Sequence, residues 1–383
     1  MANKTFPAKL VLIGAGSVSF GLMTINELMR CEKLNGSELV LVDIAPDRLQ
    51  RMTRLAHRLN ETWQSGFRIS STTERKEALP GASVVVVAVE RDRYRLWDMD
   101  RAIPAKYGVI QLESENGGPG GMFHTLRQAP LLLEIAHDVE RLCPSAWIVN
   151  MSNPESRVTL ALHRYSKAKS VGVCLGAYIT RSNLATEVLG CKPQDIDIKV
   201  GGINHCHWVM DIRDAYTGED LYPEVRRRIE TVDPSWEPLS RECLRQFGLF
   251  PGPGDGHVSE YLNWGPLFIP PSRAGRAAYF TEREEEQVSA VESLIAREGP
   301  MREEELRPLM IEGAMHWQTL DIILSLLDNG NRYVLSLNVP NGGCIPNLKS
   351  DGIVEIPAII GADRIYGLPV GELPPAIAAV MEH

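Results

Sequence analysis

Two imidazoles and a thiol occupy three consecutive positions, His205, Cys206 and His207, in the segment GGINHCHWVM at residues 201–210. Histidine titrates near neutral pH and is the commonest metal ligand in proteins. The segment is therefore a candidate metal site or general base, although a half-buried strand would also account for it. The other reactive groups of the chain, and the elements that position them, separate these interpretations.

A glycine-rich segment near the amino terminus, KLVLIGAGSVSF, is a second candidate site. Gly14 and Gly16 lie between an apolar run and a helical pattern, with Ser19 in place of a third glycine. Such a turn lets the backbone and a helix N-terminus approach a pyrophosphate. Asp43 ends the next apolar run, 24 residues after Ser19, where an acid binds the adenosine ribose and favours NAD over NADP. We predict a dinucleotide site formed by Gly14, Gly16, Ser17 and Asp43.

Two further segments have the composition of ligand-binding loops. GGPGGMFHTLRQAP at residues 117–130 places four glycines ahead of a helical pattern, so that backbone can approach a ligand closely. In NMSNPESRVT at residues 150–159, Asn153 and Pro154 follow an apolar run, at the end of a parallel strand where ligands of open α/β folds bind. Ordinary turn chemistry would also explain both segments.

The surrounding elements alternate between apolar runs and helical patterns. KLVLIGAG, ELVLVDI, SVVVVAVE, AWIVNMS and SVGVCLG alternate with patterns such as PDRLQRMTRLAHRLNETW. This predicts an α/β fold with a Rossmann-type, doubly wound parallel sheet in a first domain, residues 1–195. Beyond it, a strand reading DIKVGGINHCHWVMDIRDA and the loop FGLFPGPGDGH indicate a mixed α+β second domain, residues 196–383. The charge run TEREEEQVSAVESLIAREGPMREEEL is interpreted as a solvated helical face.

Composition excludes several classes of protein. The 383 residues, 44% hydrophobic and 23% charged, are typical of a globular chain with one large or two medium domains. A formal charge of -9 argues against nucleic acid as the main partner. Apolar runs too short to span a bilayer, and an amino terminus without a secretory apolar core, predict a cytoplasmic protein with no membrane partner. Seven scattered cysteines indicate reduced thiols.

Eight segments occur together in one characteristic order: LIGAGSVSF, LVLVDI, IPAKYGV, GGPGGMFHTLR, NMSNPES, VGVC, GGINHCHW and LNVPNGGCIPNLKSDGIVEIPA. From Lys9 to about Pro375 the chain thereby resembles glycoside hydrolase family 4. The resemblance implies a lactate/malate dehydrogenase-like architecture and an NAD- and metal-dependent glycosidase. It also implies a mechanism in which sugar C3 is transiently oxidised, C2 is deprotonated and the group at C1 is eliminated, without net redox.

The same resemblance implies a divalent metal, usually manganese, bound by the cysteine after VG and the histidine of the G-x-N-H segment. These are Cys174 and His205. Two protein ligands would leave open positions for water or sugar hydroxyls. Without the resemblance, a small buried thiol and a hydrogen-bonded strand histidine are the simpler interpretation. His205 and His207, on one face of a strand, form an alternative chelating pair.

The base and the sugar contacts are assigned from the resemblance as well. GPGDGHVSEYLNW is similar to family segments of the form G-D-x-H-x-x-E-[FY], so Asp255 or Tyr261 is the candidate base and His257 a candidate sugar contact. An N-capping aspartate in a solvated loop is the alternative for Asp255. Asn153 and Asn204 match family asparagines near the sugar hydroxyls.

Three positions depart from the family pattern. Leu175 follows the metal cysteine, where the family has histidine, aspartate or asparagine, and leucine cannot hydrogen-bond or transfer a proton. Glu155 and Arg157 replace small or apolar residues, and an arginine fork suits a carboxylate or sulfonate. We therefore predict an anionic hexoside, a uronide or a sulfoquinovoside, with an α-galactoside as the other candidate. Arg127 is a further candidate anion contact, or a helix-surface charge.

Two other classes remain open from the sequence. A conventional NAD-dependent sugar or 2-hydroxy acid dehydrogenase would consume NAD stoichiometrically and would not need manganese. A nonenzymatic dinucleotide sensor would have no use for Cys174 and His205. Members of the family associate through the second domain, so a homodimer or homotetramer acting on a small-molecule glycoside is expected. They usually continue with further helices beyond the VEIPA segment, whereas this chain ends at His383.

Overall fold

One continuous sheet runs through the protein. The computed structural model describes residues 5–268, 276–306 and 318–382, without the side chains of 276–280. Within these ranges the sheet has twelve strands. They are β1 (Lys9–Ile13), β2 (Glu38–Val42), β3 (Arg68–Thr72), β4 (Val84–Val87), β5 (Trp147–Asn150), β6 (Lys169–Gly172), β7 (Ile196–Ile203), β8 (Cys206–Asp214), β9 (Phe250–Gly252), β10 (Arg332–Pro340), β11 (Ile353–Ile360) and β12 (Ile365–Gly367).

Helices connect most of these strands. In the described ranges they are α1 (Phe20–Arg30), α2 (Pro46–Trp63), α3 (Arg75–Ala78), α4 (Arg93–Ala105), α5 (Gly118–Leu142), α6 (Glu155–Tyr165), α7 (Gly176–Asn183), α8 (Tyr222–Arg228), α9 (Pro238–Phe247), α10 (Asp255–Val258), α11 (Arg276–Ala296), α12 (Glu303–Leu306), α13 (Gln318–Asp328) and α14 (Pro375–Met381). None of the helices described is both long and apolar enough to cross a membrane.

The order of the strands confirms the predicted α/β class. Strands β3-β2-β1-β4-β5-β6 are all parallel, and the chain reverses direction across the sheet between β1 and β4. In such sheets ligands bind outside the carboxyl ends of the strands at this switch point. Strands β10-β11-β7-β8-β9 extend the same sheet in antiparallel fashion, with β12 paired to β11. The division into domains at residue 195 stays a prediction.

Both faces of the parallel half are covered by helices. All four residues of Val84–Val87 are buried, which explains why β4 is a continuous apolar run. Leu22 and Met52, on α1 and α2, belong to the core on one face, and Ile135 and Leu162, on α5 and α6, to the core on the other. Each such fully buried side chain contributes roughly 1.5–3 kcal/mol of transfer free energy. This packing fixes the carboxyl ends of the strands, where the reactive residues lie.

Two predicted elements differ in the structure. The strand predicted across DIKVGGINHCHWVMDIRDA is wrong, because it is a hairpin of β7 and β8 joined at Asn204 and His205, with Ile203 paired to Cys206. The predicted glycine loop at 117–130 is also wrong, because α5 already begins at Gly118. A Cβ on Gly121 would lie 2.4 Å from the Asn116 backbone, so glycine in this turn allows the preceding segment to pack against the helix.

The charge run forms much of α11, where Glu282, Glu285, Glu286 and Ser289 are exposed and give the helix the solvated face that the sequence predicts. Two of its partly exposed acidic side chains also pair with basic side chains of α2. Glu292 pairs with Arg51 at 2.9 Å, and Glu284 pairs with Arg48 at 3.4 Å. These pairs link α11 to α2, in the parallel half of the fold.

Candidate functional site

The glycine turn after β1 approaches two neighbouring strands closely. A Cβ on Gly14, whose φ is +90°, would lie 2.0 Å from the carbonyl oxygen of Ala88 beyond β4. A Cβ on Gly16 would lie 2.7 Å from a carboxylate oxygen of Asp43. Only glycine allows both approaches. The turn therefore packs tightly at the switch point of the sheet.

Asp43 is fixed beside this turn at the end of β2. Its Oδ2 accepts the backbone N–H of Gly16 at 2.8 Å, and its Oδ1 accepts that of Ala45 at 2.9 Å. Ser17 Oγ accepts the backbone N–H of Phe20 at 3.2 Å, in the first turn of α1. The four residues predicted for a dinucleotide thus lie together, and their role stays a prediction.

The turn between β7 and β8 presents His205 to a cluster from three segments. His205 adopts a left-handed backbone conformation, with φ +64°. Its Nδ1 lies 2.5 Å from Asn116 Nδ2 and 3.8 Å from Glu115 Oε2, and its ring centroid lies 4.1 Å from that of His257. One potential ligand atom each from Glu115, His205 and His257 lie within 4.8 Å of one another. These three residues form the Glu115–His205–His257 cluster.

The protonation states of this cluster suit a cation. Burial, together with His257, lowers the pKa of His205 to about 3, so its imidazole is neutral. Burial opposes ionisation of Glu115, but Arg93 and the neighbouring histidines together outweigh it and lower its pKa to about 2. His257 Nδ1 is buried without a hydrogen-bond partner among the described residues. One carboxylate oxygen and two imidazole nitrogens are ligands that divalent transition metals accept.

Cys174 follows β6 and lies beside the residue that precedes His205. The backbone N–H of Gly176, at 3.3 Å, and the side chain of Asn204 both contact its sulfur. Burial and the negative charge of Glu355 raise the pKa of the Cys174 thiol well above its ordinary value. A thiolate therefore requires a cation at this position. The assignment of Cys174 and His205 as the metal pair stays a prediction.

Tyr261 lies against the same turn. Its hydroxyl donates a hydrogen bond of 3.1 Å to the carbonyl oxygen of Asn204. Burial raises the pKa of Tyr261 well above its ordinary value, and the positive charge of Arg157 opposes this rise. Within the described part of the chain, the guanidinium of Arg157 has no hydrogen bond or ion pair. The candidate base, whose hydroxyl contacts the residue before His205, therefore lies near an unpaired cationic fork.

Comparison with known proteins identifies the family. Residues 9–189 match the model of Family 4 glycosyl hydrolase, and residues 200–383 match that of the Family 4 glycosyl hydrolase C-terminal domain. The alpha-glucosidase of Erwinia rhapontici is 30% identical to this chain, in an alignment that covers 98% of this chain and 87% of the alpha-glucosidase. This chain belongs to glycosyl hydrolase family 4. The protein is therefore a glycosidase, as predicted.

Two further proteins illustrate the range of this family. The alpha-galactosidase of Bacillus subtilis (strain 168) is 29% identical to this family 4 enzyme, in an alignment that covers 97% of this chain and 85% of the alpha-galactosidase. A crystal structure of a 6-phospho-alpha-glucosidase from gut microorganisms, in complex with NAD and Mn²⁺, has a TM-score of 0.80 at 22% identity, and the match covers 98% of this chain and 87% of that one. The likeness of the two structures establishes the fold.

Three expectations about the site of this family 4 enzyme are corrected by its contacts. Asp255 caps a helix: its carboxylate accepts the backbone N–H groups of Leu239 and Ser240 at 2.8 and 2.7 Å, in the first turn of α9. It is buried rather than solvated, and its oxygens are committed to the helix rather than to proton transfer. Arg127 is held by a bidentate ion pair with Asp100, one contact being 3.0 Å, and is not free for a substrate anion.

The alternative chelating pair of His205 and His207 is the third correction. His205 lies in the turn, whereas His207 lies within β8 and is fully buried. Its Nδ1 is 3.3 Å from Glu355 Oε2 and its Nε2 is 3.0 Å from Thr180 Oγ1. Both nitrogens therefore have protein partners, and the two imidazoles do not share one face of a strand.

The two predicted asparagine contacts each donate a hydrogen bond to a buried carboxylate. Asn153 Nδ2 donates to Glu115 Oε1 at 3.0 Å, and Asn204 Nδ2 donates to Glu355 Oε2 at 3.2 Å. Sequence reasoning missed Glu115, Asn116 and Glu355. Glu115 and Asn116 directly precede the glycine motif at the start of α5. A carboxylate and an amide next to such a motif could have been recognised in the sequence as candidate site residues.

Proposed function

We propose that this family 4 enzyme uses NAD and a divalent metal to cleave an anionic hexoside, a uronide or a sulfosugar glycoside, by proton abstraction at C2. The observation that carries the proposal is the contact of the Tyr261 hydroxyl with the carbonyl of Asn204, the residue before His205. It brings a candidate base next to a candidate metal ligand, with Arg157 nearby. This combination suits removal of a proton beside a polarised carbonyl.

The dinucleotide would be held by the turn after β1. The close turn at Gly14 and Gly16 brings the N-terminus of α1 to the switch point, where it suits a pyrophosphate, and Asp43 suits the ribose. Ile44, which is 91% exposed next to Asp43, offers an apolar surface for a base. Bound NAD would supply a reversible hydride acceptor for sugar C3. The complex of the gut 6-phospho-alpha-glucosidase with NAD and Mn²⁺ supports this assignment.

The metal would be held at His205 and Cys174, with Glu115 and His257 as additional donors. The neutral imidazole of His205 and the ionised carboxylate of Glu115 fit a divalent cation, and the unpartnered Nδ1 of His257 faces no competing donor among the described residues. A bound divalent cation would supply a Lewis acid beside the oxidised carbon. Glu115, in turn, is oriented by the amide of Asn153.

Tyr261 is the residue we assign to C2 deprotonation. The hydrogen bond to the carbonyl of Asn204 fixes the orientation of its phenol. Burial raises the pKa of this phenol, and the positive charges of Arg157 and of a bound divalent cation would oppose that rise. Asp255 is excluded from this role because its carboxylate caps α9. The partly buried phenol limits access of water to the proton during transfer.

Arg157 is the residue we assign to the substrate anion. Its guanidinium has no ion pair within the part of the chain described, in contrast to Arg127, and a planar fork binds carboxylate or sulfonate in bidentate fashion. Leu175 offers no hydrogen bond at the position that follows Cys174. The second candidate is a neutral α-galactoside or α-glucoside, favoured by the names of the alpha-galactosidase and alpha-glucosidase relatives.

A panel of para-nitrophenyl glycosides tests the proposal. Matched neutral and anionic sugars in both anomers are assayed with NAD and Mn²⁺, without NAD, and with a chelator. We expect cleavage that requires both cofactors, no net accumulation of NADH, and a preference for an anionic sugar. Stoichiometric formation of NADH would instead indicate a conventional dehydrogenase, and equal rates on neutral and anionic sugars would refute the assigned substrate.

A matched pair of variants on one helix tests the role of Arg157. Arg157→Gln should lower kcat/KM for the anionic sugar by about 10- to 100-fold, as expected for a lost charge-assisted contact of about 1.5–3 kcal/mol, and should leave the neutral sugar little affected. Arg164→Gln is the control, because Arg164 lies on the same helix and pairs on the surface with Asp351 at 2.6 Å. It should leave both rates unchanged.

A further inference from the structure

We propose that Glu355 is a positioning residue, whose buried carboxylate holds the turns that present Cys174 and His205 in a fixed position relative to one another. The inference rests on the proposed function, because it takes these two residues as metal ligands. Glu355 lies on β11 and is fully buried. It acts through side chains next to the two candidate ligands rather than as a ligand itself.

The carboxylate belongs to a row of residues that crosses six strands of the sheet. Residues paired directly across neighbouring strands form this row, in the order Gly172, Asn338, Glu355, Gly202, His207 and Gly252. Gly202 places no side chain between Glu355 and His207, whose Oε2 and Nδ1 atoms are 3.3 Å apart. A Cβ on Gly252 would lie 2.3 Å from His207 Nε2 and 2.1 Å from Thr180 Oγ1, so only glycine leaves room for their contact. The glycines thus allow polar side chains to meet inside the sheet.

On one side, the carboxylate restrains the turn that presents His205. Asn204 Nδ2 donates a hydrogen bond of 3.2 Å to Glu355 Oε2. His205 follows directly in the left-handed backbone region, with φ +64°, which a residue with a Cβ keeps only where the surrounding structure restrains it. The N–H of Asn204 donates to Ser156 Oγ at 3.0 Å, and its carbonyl accepts the Tyr261 hydroxyl. These two bonds restrain the backbone of the turn, whereas the bond to Glu355 restrains its side chain.

On the other side, Glu355 is linked to the turn that carries Cys174. The imidazole of His207 provides the link, because its Nε2 lies 3.0 Å from Thr180 Oγ1. Thr180 Oγ1 also lies 3.0 Å from the carbonyl oxygen of Gly176, whose N–H donates to Cys174 Sγ at 3.3 Å. A Cβ on Gly176 would lie 3.2 Å from His207 Cε1, so the imidazole packs directly against this turn. A shift of the carboxylate would therefore be transmitted to both turns.

The charge of Glu355 also favours a cation at the site. Among the residues that the structure describes, no arginine or lysine pairs with it, and its Oε1 accepts the Ser336 hydroxyl at 2.6 Å. Burial opposes ionisation, but His207 and the hydrogen bonds outweigh it and lower the pKa of Glu355. The resulting negative charge acts on both Cys174 and His205. An apolar side chain would fill a purely structural position here at lower desolvation cost.

Titration of the full chain with Mn²⁺, followed by electron paramagnetic resonance of the free ion, tests the proposal. Glu355→Gln keeps the size of the side chain, removes its charge and replaces one acceptor oxygen by an N–H₂ group. We expect the dissociation constant for Mn²⁺ to rise by about 10- to 100-fold, as for other residues that orient metal ligands. Asp138→Asn is the matched control, because it removes another buried carboxylate, on α5, which pairs with Arg75 at 2.6 Å. Its affinity for Mn²⁺ should equal that of the wild type.

Co²⁺ in place of Mn²⁺ gives a readout that a general loss of stability would not change. The charge-transfer absorption between the Cys174 thiolate and Co²⁺ should weaken or shift in Glu355→Gln at saturating metal, and should be retained in Asp138→Asn. Ser336→Ala is a milder change that removes one hydrogen bond to the carboxylate. It should raise the dissociation constant by a smaller factor than Glu355→Gln.

Wild-type affinity and spectrum in folded Glu355→Gln would overturn the proposal, as would an equal loss of affinity in Asp138→Asn. If Glu355→Gln does not fold, Ser336→Ala decides, and wild-type affinity in that variant would overturn the proposal. Cys174→Ser and His205→Asn separate this inference from the proposed function. Wild-type affinity in both would refute the metal assignment and the inference together, whereas a loss in both with none in Glu355→Gln would refute the role of Glu355 alone.

Discussion

The carboxylate of Glu260 accepts a hydrogen bond of 2.5 Å from the backbone N–H of Gly117. The same carboxylate accepts the N–H groups of Glu115 and Asn116, at 3.0 and 2.7 Å. A Cβ on Gly117 would lie 2.6 Å from the carbonyl oxygen of Glu260, so only glycine permits this approach. The segment before Tyr261 therefore fixes the segment that presents Glu115 and Asn116 to His205.

Replacing Glu260 by glutamine should disturb this arrangement. The amide of Glu260→Gln turns an N–H₂ group towards backbone donors, so at least one of the three bonds is lost. We expect the free energy of unfolding to fall by about 1–3 kcal/mol, and kcat to fall by about tenfold or more. Urea denaturation and initial rates measure the two effects. Glu224→Gln, whose carboxylate pairs on the surface with Arg227 and Arg228, should change neither. An unchanged kcat in Glu260→Gln would show that the segment holds its position without the carboxylate.

Tyr261 and Asp255 should respond in opposite ways to removal of their reactive groups. Tyr261→Phe loses one hydrogen bond, so unfolding changes by only about 1 kcal/mol, whereas glycoside cleavage should fall by about 100-fold or more. Asp255→Asn weakens the cap of α9 and should destabilise the fold by about 1–2 kcal/mol. Comparison of melting curves with rates normalised to folded enzyme separates these effects. Full activity in Tyr261→Phe would remove this residue as the base.

Metal affinity should depend on His205 and not on its neighbour. His205→Asn removes a donor of the Glu115–His205–His257 cluster, and we expect the dissociation constant for Mn²⁺ to rise by about 100-fold. Cys206→Ser is the control, because Cys206 begins β8 and is fully buried. Titration with Mn²⁺, followed by electron paramagnetic resonance of the free ion, gives both constants. Equal affinities in wild type and His205→Asn would place the ion elsewhere.

Glu155 should make stability fall as the pH rises. Burial raises its pKa to about 8, although Thr159 Oγ1 donates to the carboxylate at 2.6 Å. Because the folded pKa lies above the unfolded value, its contribution is fully present below about pH 4 and is lost as the pH rises towards 8. Glu155→Gln should remove this loss. The stability of the variant relative to the wild type should therefore increase with pH, by on the order of 1 kcal/mol per unit. Urea denaturation at several pH values tests this slope, and parallel curves would contradict it.

Local patterns in the sequence were sufficient for the parallel half of the fold. The apolar runs predicted β1, β2, β4, β5 and β6, and the periodicity of PDRLQRMTRLAHRLNETW coincides with α2. Edge strand β3 was missed because its residues are mostly exposed and lack an apolar run. These elements follow from the spacing of apolar side chains and from turn glycines, which act over a few residues.

The candidate site was decided by tertiary structure. The sequence supplied His205 and Tyr261 as reactive groups, but the contacts of His205 with Glu115 and His257 join three segments that are distant along the chain. Likewise, the sequence does not distinguish whether Asp255 is a catalytic base or a helix cap. The hydrogen bonds from the first turn of α9 to its carboxylate decide this. The spacing of residues determines which groups a helix, strand or turn presents. Only the packing of those elements determines which of the groups meet, because such contacts depend on burial and on hydrogen bonds between remote parts of the chain.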